Sequence, residues 1–166
     1  MDASQFVDAL VNIGWVKEFV EIVKEEKVID NKLPSEIEEL CSKYSVLRNK
    51  DDTFWFYSEF DYVSAGDSAF EWDFFEKNSL ECSVNDVQKS HVLNFWRAHL
   101  PFGVSVVNGY SYVALRIEDG VVVIGVEPEY EDSAKVIAKS LEDFYQLFVL
   151  AADVESDVLM GLYWGK

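Results

Sequence analysis

The sequence predicts an α+β fold. A single domain over residues 1–166 would carry a central antiparallel sheet, packed with N-terminal, middle and C-terminal helices. Three observations predict it. Gly103–Val107, Tyr110–Ile117 and Val121–Glu127 are β-rich runs separated by Asn108-Gly109 and Asp119-Gly120. These dipeptides favour the positive φ of tight hairpin turns, so residues 103–127 form a three-stranded meander. Apolar residues before and after the meander recur at helical spacing. The 166 residues are 49% hydrophobic and 15% aromatic, enough to bury a core.

The elements follow in order. From Ser4 to Lys27, residues Phe6, Leu10, Ile13, Phe19, Val20 and Val23 keep a period near 3.6, which predicts a helix. Asp2 or Ser4 caps its start, and Gly14 marks a bend or break. Leu33-Pro34-Ser35-Glu36 opens a second helix, with Pro34 at the first helical position, where a missing N–H costs nothing. Ile37, Leu40, Cys41 and Tyr44 are its stripe. One or two strands are expected, the first near Thr53–Ser58 and the second, if present, at Asp61–Ser64, then irregular structure with a turn at Ala65-Gly66-Asp67-Ser68. Ser83–His99 reads as a helix turning Val87, Val92, Phe95 and Trp96 inward. In the middle meander strand Val113, Leu115 and Ile117 alternate with Tyr112, Ala114 and Arg116, predicting one dry face and one mixed face. Val136–Ala138 suits a short edge strand. Ser140, with an acid three residues on, caps a helix through Phe144, Leu147, Phe148 and Ala151. One or two helical turns follow from near Asp153.

Charge narrows the function. There are 31 acids against 14 bases, a net charge of −17. Nucleic acid and anionic membranes both demand Lys and Arg, so neither is an expected partner. A basic protein is. Met1-Asp2-Ala3-Ser4 has neither the basic nor the apolar region of a secretory leader, and no apolar run approaches the roughly 20 residues that span a bilayer. Two cysteines, Cys41 and Cys82, make no disulfide framework. The expected compartment is the cytoplasm, with Cys41 a buried thiol on the apolar side of its helix.

No pattern carries catalysis or a cofactor. His91 and His99 stand eight apart, unlike a helical zinc pair. Asp61 to Asp67 lacks the regular oxygen spacing of a calcium loop. No nucleophile elbow and no phosphate-cradling loop is present. Glu71 and Asp73 among aromatics could be drawn as a glycosidase pair, but acids this abundant pair by chance.

What remains is acid beside aromatic. Residues 51–86 hold ten acids and one base, Lys77, and ten aromatics lie among them. A second run, Glu127, Glu129, Glu131 and Asp132, follows the meander. The plainer account makes the aromatics core and the acids their solvated alternates. The functional account is a protein-binding face, with aromatic anchors for contact area and carboxylates for steering. Its candidate residues are Trp55, Glu59, Asp61, Tyr62, Asp67, Glu71, Trp72, Asp73, Glu127, Glu129, Glu131 and Asp132.

Leu33-Pro34 before a helix ending near Tyr44, then Gly109-Tyr110-Ser111-Tyr112-Val113-Ala114-Leu115, the strand Gly120–Glu127, and Val136-Ile137-Ala138-Lys139-Ser140-Leu141-Glu142-Asp143-Phe144 together carry a resemblance. Over residues 30–150 the chain resembles the SUKH superfamily, which includes the Smi/Knr-type yeast cell-wall regulator and many bacterial immunity proteins. The resemblance is best over 103–150, while 51–100 departs from the pattern. It implies a non-enzymatic α+β binding domain that brings no catalytic residues. The implied role is an intracellular immunity protein blocking a basic toxin domain, such as a nuclease, by direct binding. A SUKH-fold adaptor or regulatory module is the alternative. Neither reading calls for a cofactor or a metal, and neither sets an oligomeric state.

Overall fold

The computed structural model describes residues 1–19, 33–62, 71–153 and 158–164. Among them the chain is α+β, with six helices and a seven-stranded antiparallel sheet whose strands follow sequence order. The order is α1 (Ala3–Asn12), β1 (Val16–Glu18), α2 (Ser35–Cys41), β2 (Val46–Arg48), β3 (Phe54–Phe56), α3 (Phe74–Cys82), α4 (Asp86–Ala98), β4 (His99–Ser105), β5 (Ser111–Arg116), β6 (Val122–Val126), β7 (Lys135–Ala138), α5 (Leu141–Ala152) and α6 (Val158–Trp164). A 3-10 turn, Glu59–Tyr62, follows β3.

Capping chemistry sets several starts. The Asp2 carboxylate accepts from the Gln5 N–H while the Gln5 side chain accepts from the Asp2 N–H, a reciprocal capping box. Asn85 accepts from the Gln88 N–H, and Ser140 from the Asp143 N–H. These bonds satisfy N–H groups that a helix start leaves orphaned. Pro34 stands one position before the first residue of α2.

The first predicted helix is shorter than its period suggests. It ends at Asn12, Gly14 takes φ +96°, and residues 16–18 pair with β2 instead. Only glycine adopts that φ without strain. The rest of the predicted stretch, 20–27, lies outside the described residues, as do 63–64 of the second strand expected near Asp61. Asp61 and Tyr62 themselves are in the 3-10 turn. Part of the expected irregular stretch is helical, because α3 is held by Phe75 rather than by an apolar stripe. Val87 is 80% exposed. It precedes Val92 by five residues, about 140° around the helix, so both cannot face the sheet. Leu147 of α5 is also exposed.

The meander is β4, β5 and β6. Its turns are longer than two-residue hairpins: Gly109 and Gly120 have positive φ, but Asn108 and Asp119 do not. A two-residue turn of the Asn-Gly type needs both. Residues 111–115 are buried throughout, so the middle strand has no mixed face. Helices cover it on both sides.

Register shows how. Arg48, Trp55, Val104, Tyr112 and Gly125 sit opposite one another across five strands, so they share one face of the sheet. Leu47, Phe56, Gly103, Val113 and Ile124 form the neighbouring row on the other face. Against this second face α1 and α5 pack an aromatic core. Phe6 stacks on Tyr145 at 4.3 Å and meets Phe56 edge-on at 5.4 Å, while Phe148 meets Phe56 at 5.0 Å. A bulge between Pro101 and Gly103 adds Phe102, 5.3 Å from Phe144. On the first face α3 and α4 bring Phe75 and Trp96 to within 5.1 and 4.9 Å of Tyr112.

Tyr112 is the tightest point of that layer. Its hydroxyl donates to the Tyr130 carbonyl at 2.8 Å, and its ring lies across Gly125. A Cβ at Gly125 would overlap that ring, which Phe75 and Trp96 prevent from moving away. Gly125→Ala should therefore destabilise the fold by about 1–3 kcal/mol, the usual cost of overpacking. Urea unfolding measures it, and an unchanged midpoint would contradict the packing.

His99 joins α4 to β4. Its ring stacks on Phe95 at 4.0 Å, and its Nδ1–H donates to the Phe95 carbonyl at 2.8 Å. Burial holds the imidazole below its ordinary pKa, with Arg116 acting in the same direction. The unfolded chain therefore takes up that proton first, near pH 6.5. This contribution to stability is present above pH ~6.5 and fades as the pH falls through the folded value. Urea midpoints taken between about pH 7 and pH 5 should fall less steeply for His99→Gln than for wild type. Parallel slopes would show that His99 makes no such contribution.

Candidate functional site

The described candidate residues other than buried Tyr62 lie along the α3/α4 side of the sheet, joined by hydrogen bonds and aromatic contacts. At one end is β3. Trp55 is half-buried and its indole N–H donates to Asp52 at 2.9 Å. Beyond it, the Asp61 carboxylate accepts from the N–H and hydroxyl of Ser58 at 2.7 and 2.9 Å, which pins the 3-10 turn carrying Glu59. The Trp72 N–H donates to the Asp61 carbonyl at 3.3 Å, tying that turn to the start of α3.

Glu71 and Asp73 come next. The Lys77 ammonium lies 2.7 Å from Glu71 and 3.0 Å from Asp73, so the pair drawn as an acid–base dyad is clamped by one cation. The hydrogen bond to Glu71 raises the Lys77 pKa. Burial, with Asp73 adding to it, raises the nearby Glu76 carboxyl.

Phe74 and Phe75 then bridge to the second acidic run. Phe74 meets Tyr110 at 5.4 Å, and Phe75 meets Tyr130 at 5.1 Å. Tyr130 sits inside the run Glu127–Asp132 and is buried. Burial raises its pKa first, and Glu127 adds to that. Glu127 packs its side chain over Gly109. Glu131 accepts from the Trp96 indole N–H at 2.6 Å, and exposed Asp132 lies 3.2 Å from His91 of α4. Glu129 is exposed.

The two acidic segments thus approach each other, joined through α3. Not every candidate belongs to a surface. Tyr62 is fully buried and donates its hydroxyl to the Pro101 carbonyl at 2.6 Å, so it is core and cannot touch a partner. Trp72 is half-buried against that core, and Glu131 is committed to Trp96. Asp67 lies outside the described residues. Sequence reasoning passed over Tyr110, Phe74 and Lys77, which complete the band. The signal at Tyr110 was an aromatic directly after a turn glycine. The signal at Lys77 was its position as the one base among ten acids.

A groove of about 360 Å³ opens at the Trp55 end, over β2, β3 and β4. Val46 and Val104 line it with Trp55, Tyr57, Phe60 and Asp61. Among the described residues no group of three or more His, Cys, Asp or Glu could hold a metal ion, and no helix is long and apolar enough to cross a membrane. No family model, no curated protein and no solved structure matches the chain.

Tyr57 has an unusual position. Its hydroxyl is buried and has no hydrogen-bond partner among the described residues. Burial raises its pKa, and the carboxylates of Asp61 and Asp73 raise it further. An orphaned buried hydroxyl costs free energy that a phenyl ring does not. Tyr57→Phe should leave the protein as stable or more stable by about 1 kcal/mol. Chemical denaturation checks this, and a loss of stability would show that the hydroxyl is satisfied in solution.

Proposed function

We propose that this chain is a SUKH-type immunity protein of the cytoplasm, which neutralises a basic toxin domain by binding it. The observation that carries the reading is the band itself: acids from two separated segments joined by half-buried and exposed aromatics. Carboxylates at the rim of such a band speed encounter with a cationic partner, and the aromatics supply contact area once it docks. A nuclease suits the role, because its phosphate-binding surface is basic and an acidic protein can occupy it. Neutralisation is then steric and electrostatic, with no bond made or broken.

The charge supports this over mere solubility. Residues 127–132 hold four acids and no base, on a loop anchored by Tyr130 and Trp96 rather than left free. Anchored charges keep a fixed pattern, which a partner can read. The sequence likeness over 103–150 points the same way.

Co-expression with the product of the adjacent gene tests the role. A captured basic protein, together with protection of cells producing it, is the expected result. Failure of both would sink the proposal. The electrostatic part has its own test in Glu127→Lys, Glu129→Lys and Asp132→Lys combined, three exposed positions. Association with the captured protein should slow by about tenfold or more at low salt, with a much smaller difference at high salt. Equal rates at low salt would remove this loop from the interface.

A further inference from the structure

We infer that the groove at the Trp55 end of the band is an anchor site for an arginine side chain presented by the protein partner. The inference rests on the binding role proposed above and names the contact that would hold the partner in place.

Size comes first. About 360 Å³ is small among ligand sites, which span roughly 300–1,000 Å³. It suits one long side chain and its immediate backbone rather than a folded element. Its walls come next. Val46 and Val104 sit beside the rings of Trp55 and Phe60, an apolar trough that matches a methylene stem. Charge decides the head group. The ten residues lining the groove include one carboxylate, Asp61, and no base. The stretch 51–62 adds Asp51, Asp52 and Glu59, again with no base. Arg48 lies on the same face, but its guanidinium is 3.4 Å from Asp52 and is already paired.

Three occupants can be compared. Asp61 already accepts from Ser58, and an apolar side chain would draw that carboxylate further from water while bringing no charge to meet it. Lysine would bring a compact, strongly hydrated ammonium, which is costly to dehydrate between aromatic rings. Arginine brings a planar, weakly hydrated cation that stacks on indole and donates to a carboxylate. Apolar walls with a single carboxylate favour arginine. A protein-borne arginine is favoured over the free amino acid, because the lining offers no base to hold an α-carboxylate.

The test uses the intact ¹⁵N-labelled protein and the indole N–H resonance of Trp55, assigned with Trp55→Phe. The probes are acetyl-Gly-Gly-Arg-Gly-Gly-amide, its citrulline and leucine counterparts, and free L-arginine. The arginine peptide should shift the resonance saturably, with the citrulline and leucine peptides about tenfold weaker or more. Asp61→Asn should weaken the arginine peptide by about tenfold. Asp61 also supports its own turn, so Phe60→Ala is the second variant; that ring is 39% exposed, and its loss should weaken binding without lowering the melting temperature. No saturable shift, equal binding of the leucine peptide, or tighter binding of free arginine would each overturn the inference. A partner that is captured and depends on the acidic loop, beside an arginine peptide that does not bind, would sink the groove and leave the proposed function standing. Binding of the peptide with no basic partner captured would do the reverse.

Discussion

The hydrogen bond from Tyr112 to the Tyr130 carbonyl organises one whole side of this molecule. Tyr112 belongs to β5, and Tyr130 to an acidic loop that has no regular structure of its own. A loop of like charges has little reason to lie against a protein. Here it does, because a buried tyrosine reaches out of the sheet to its backbone, while Phe75 packs against both tyrosine rings and Trp96 against that of Tyr112. Trp96 adds a second tie by donating to Glu131. Gly125 makes room for the Tyr112 ring beneath. The position of α3, the position of α4 and the direction of the acidic run all follow from that one aromatic cluster.

The compact state also bears a net charge of −17. Carboxylates close in space repel, and the compact state bears that cost. The fold distributes its few compensations where acids meet. Lys77 serves two carboxylates, Arg116 forks onto Asp119 at 2.8 and 2.7 Å, and Arg48 approaches Asp52. Backbone and indole N–H groups serve others, as at Asp61 and Glu131. These exposed ion pairs each contribute little to stability. Their effect is to order side chains that would otherwise sweep through solvent, so that negative charge stands in a defined pattern beside aromatic surface.

How much was legible in the sequence depended on the range of the forces involved. The meander was readable because β-rich runs and turn dipeptides are local signals, and β4, β5 and β6 fall within the expected runs save that β4 begins earlier, at His99. The cap at Ser140 was readable for the same reason. The first helix was overextended, because its apolar period continues past Gly14 while pairing of Val16–Glu18 with β2 is a contact with residues some 30 positions away. Helix α3 was missed, since Phe75 holds it through Trp96 and Tyr130, which no local window contains. Tyr62 stands among acids in the sequence, yet it is buried and its hydroxyl donates to Pro101, on a distant strand.

By itself the sequence determined the fold class, the acidity and the residue types available for recognition. Those depend on composition and on periods of two and 3.6 residues, which each short segment carries alone. Only the tertiary structure decided which acids are neighbours, which aromatics are core, and where, among the described residues, a groove lies beside Trp55. Those outcomes depend on strand register and on packing between segments far apart in the chain, where one buried ring places charges that the sequence separates by dozens of residues.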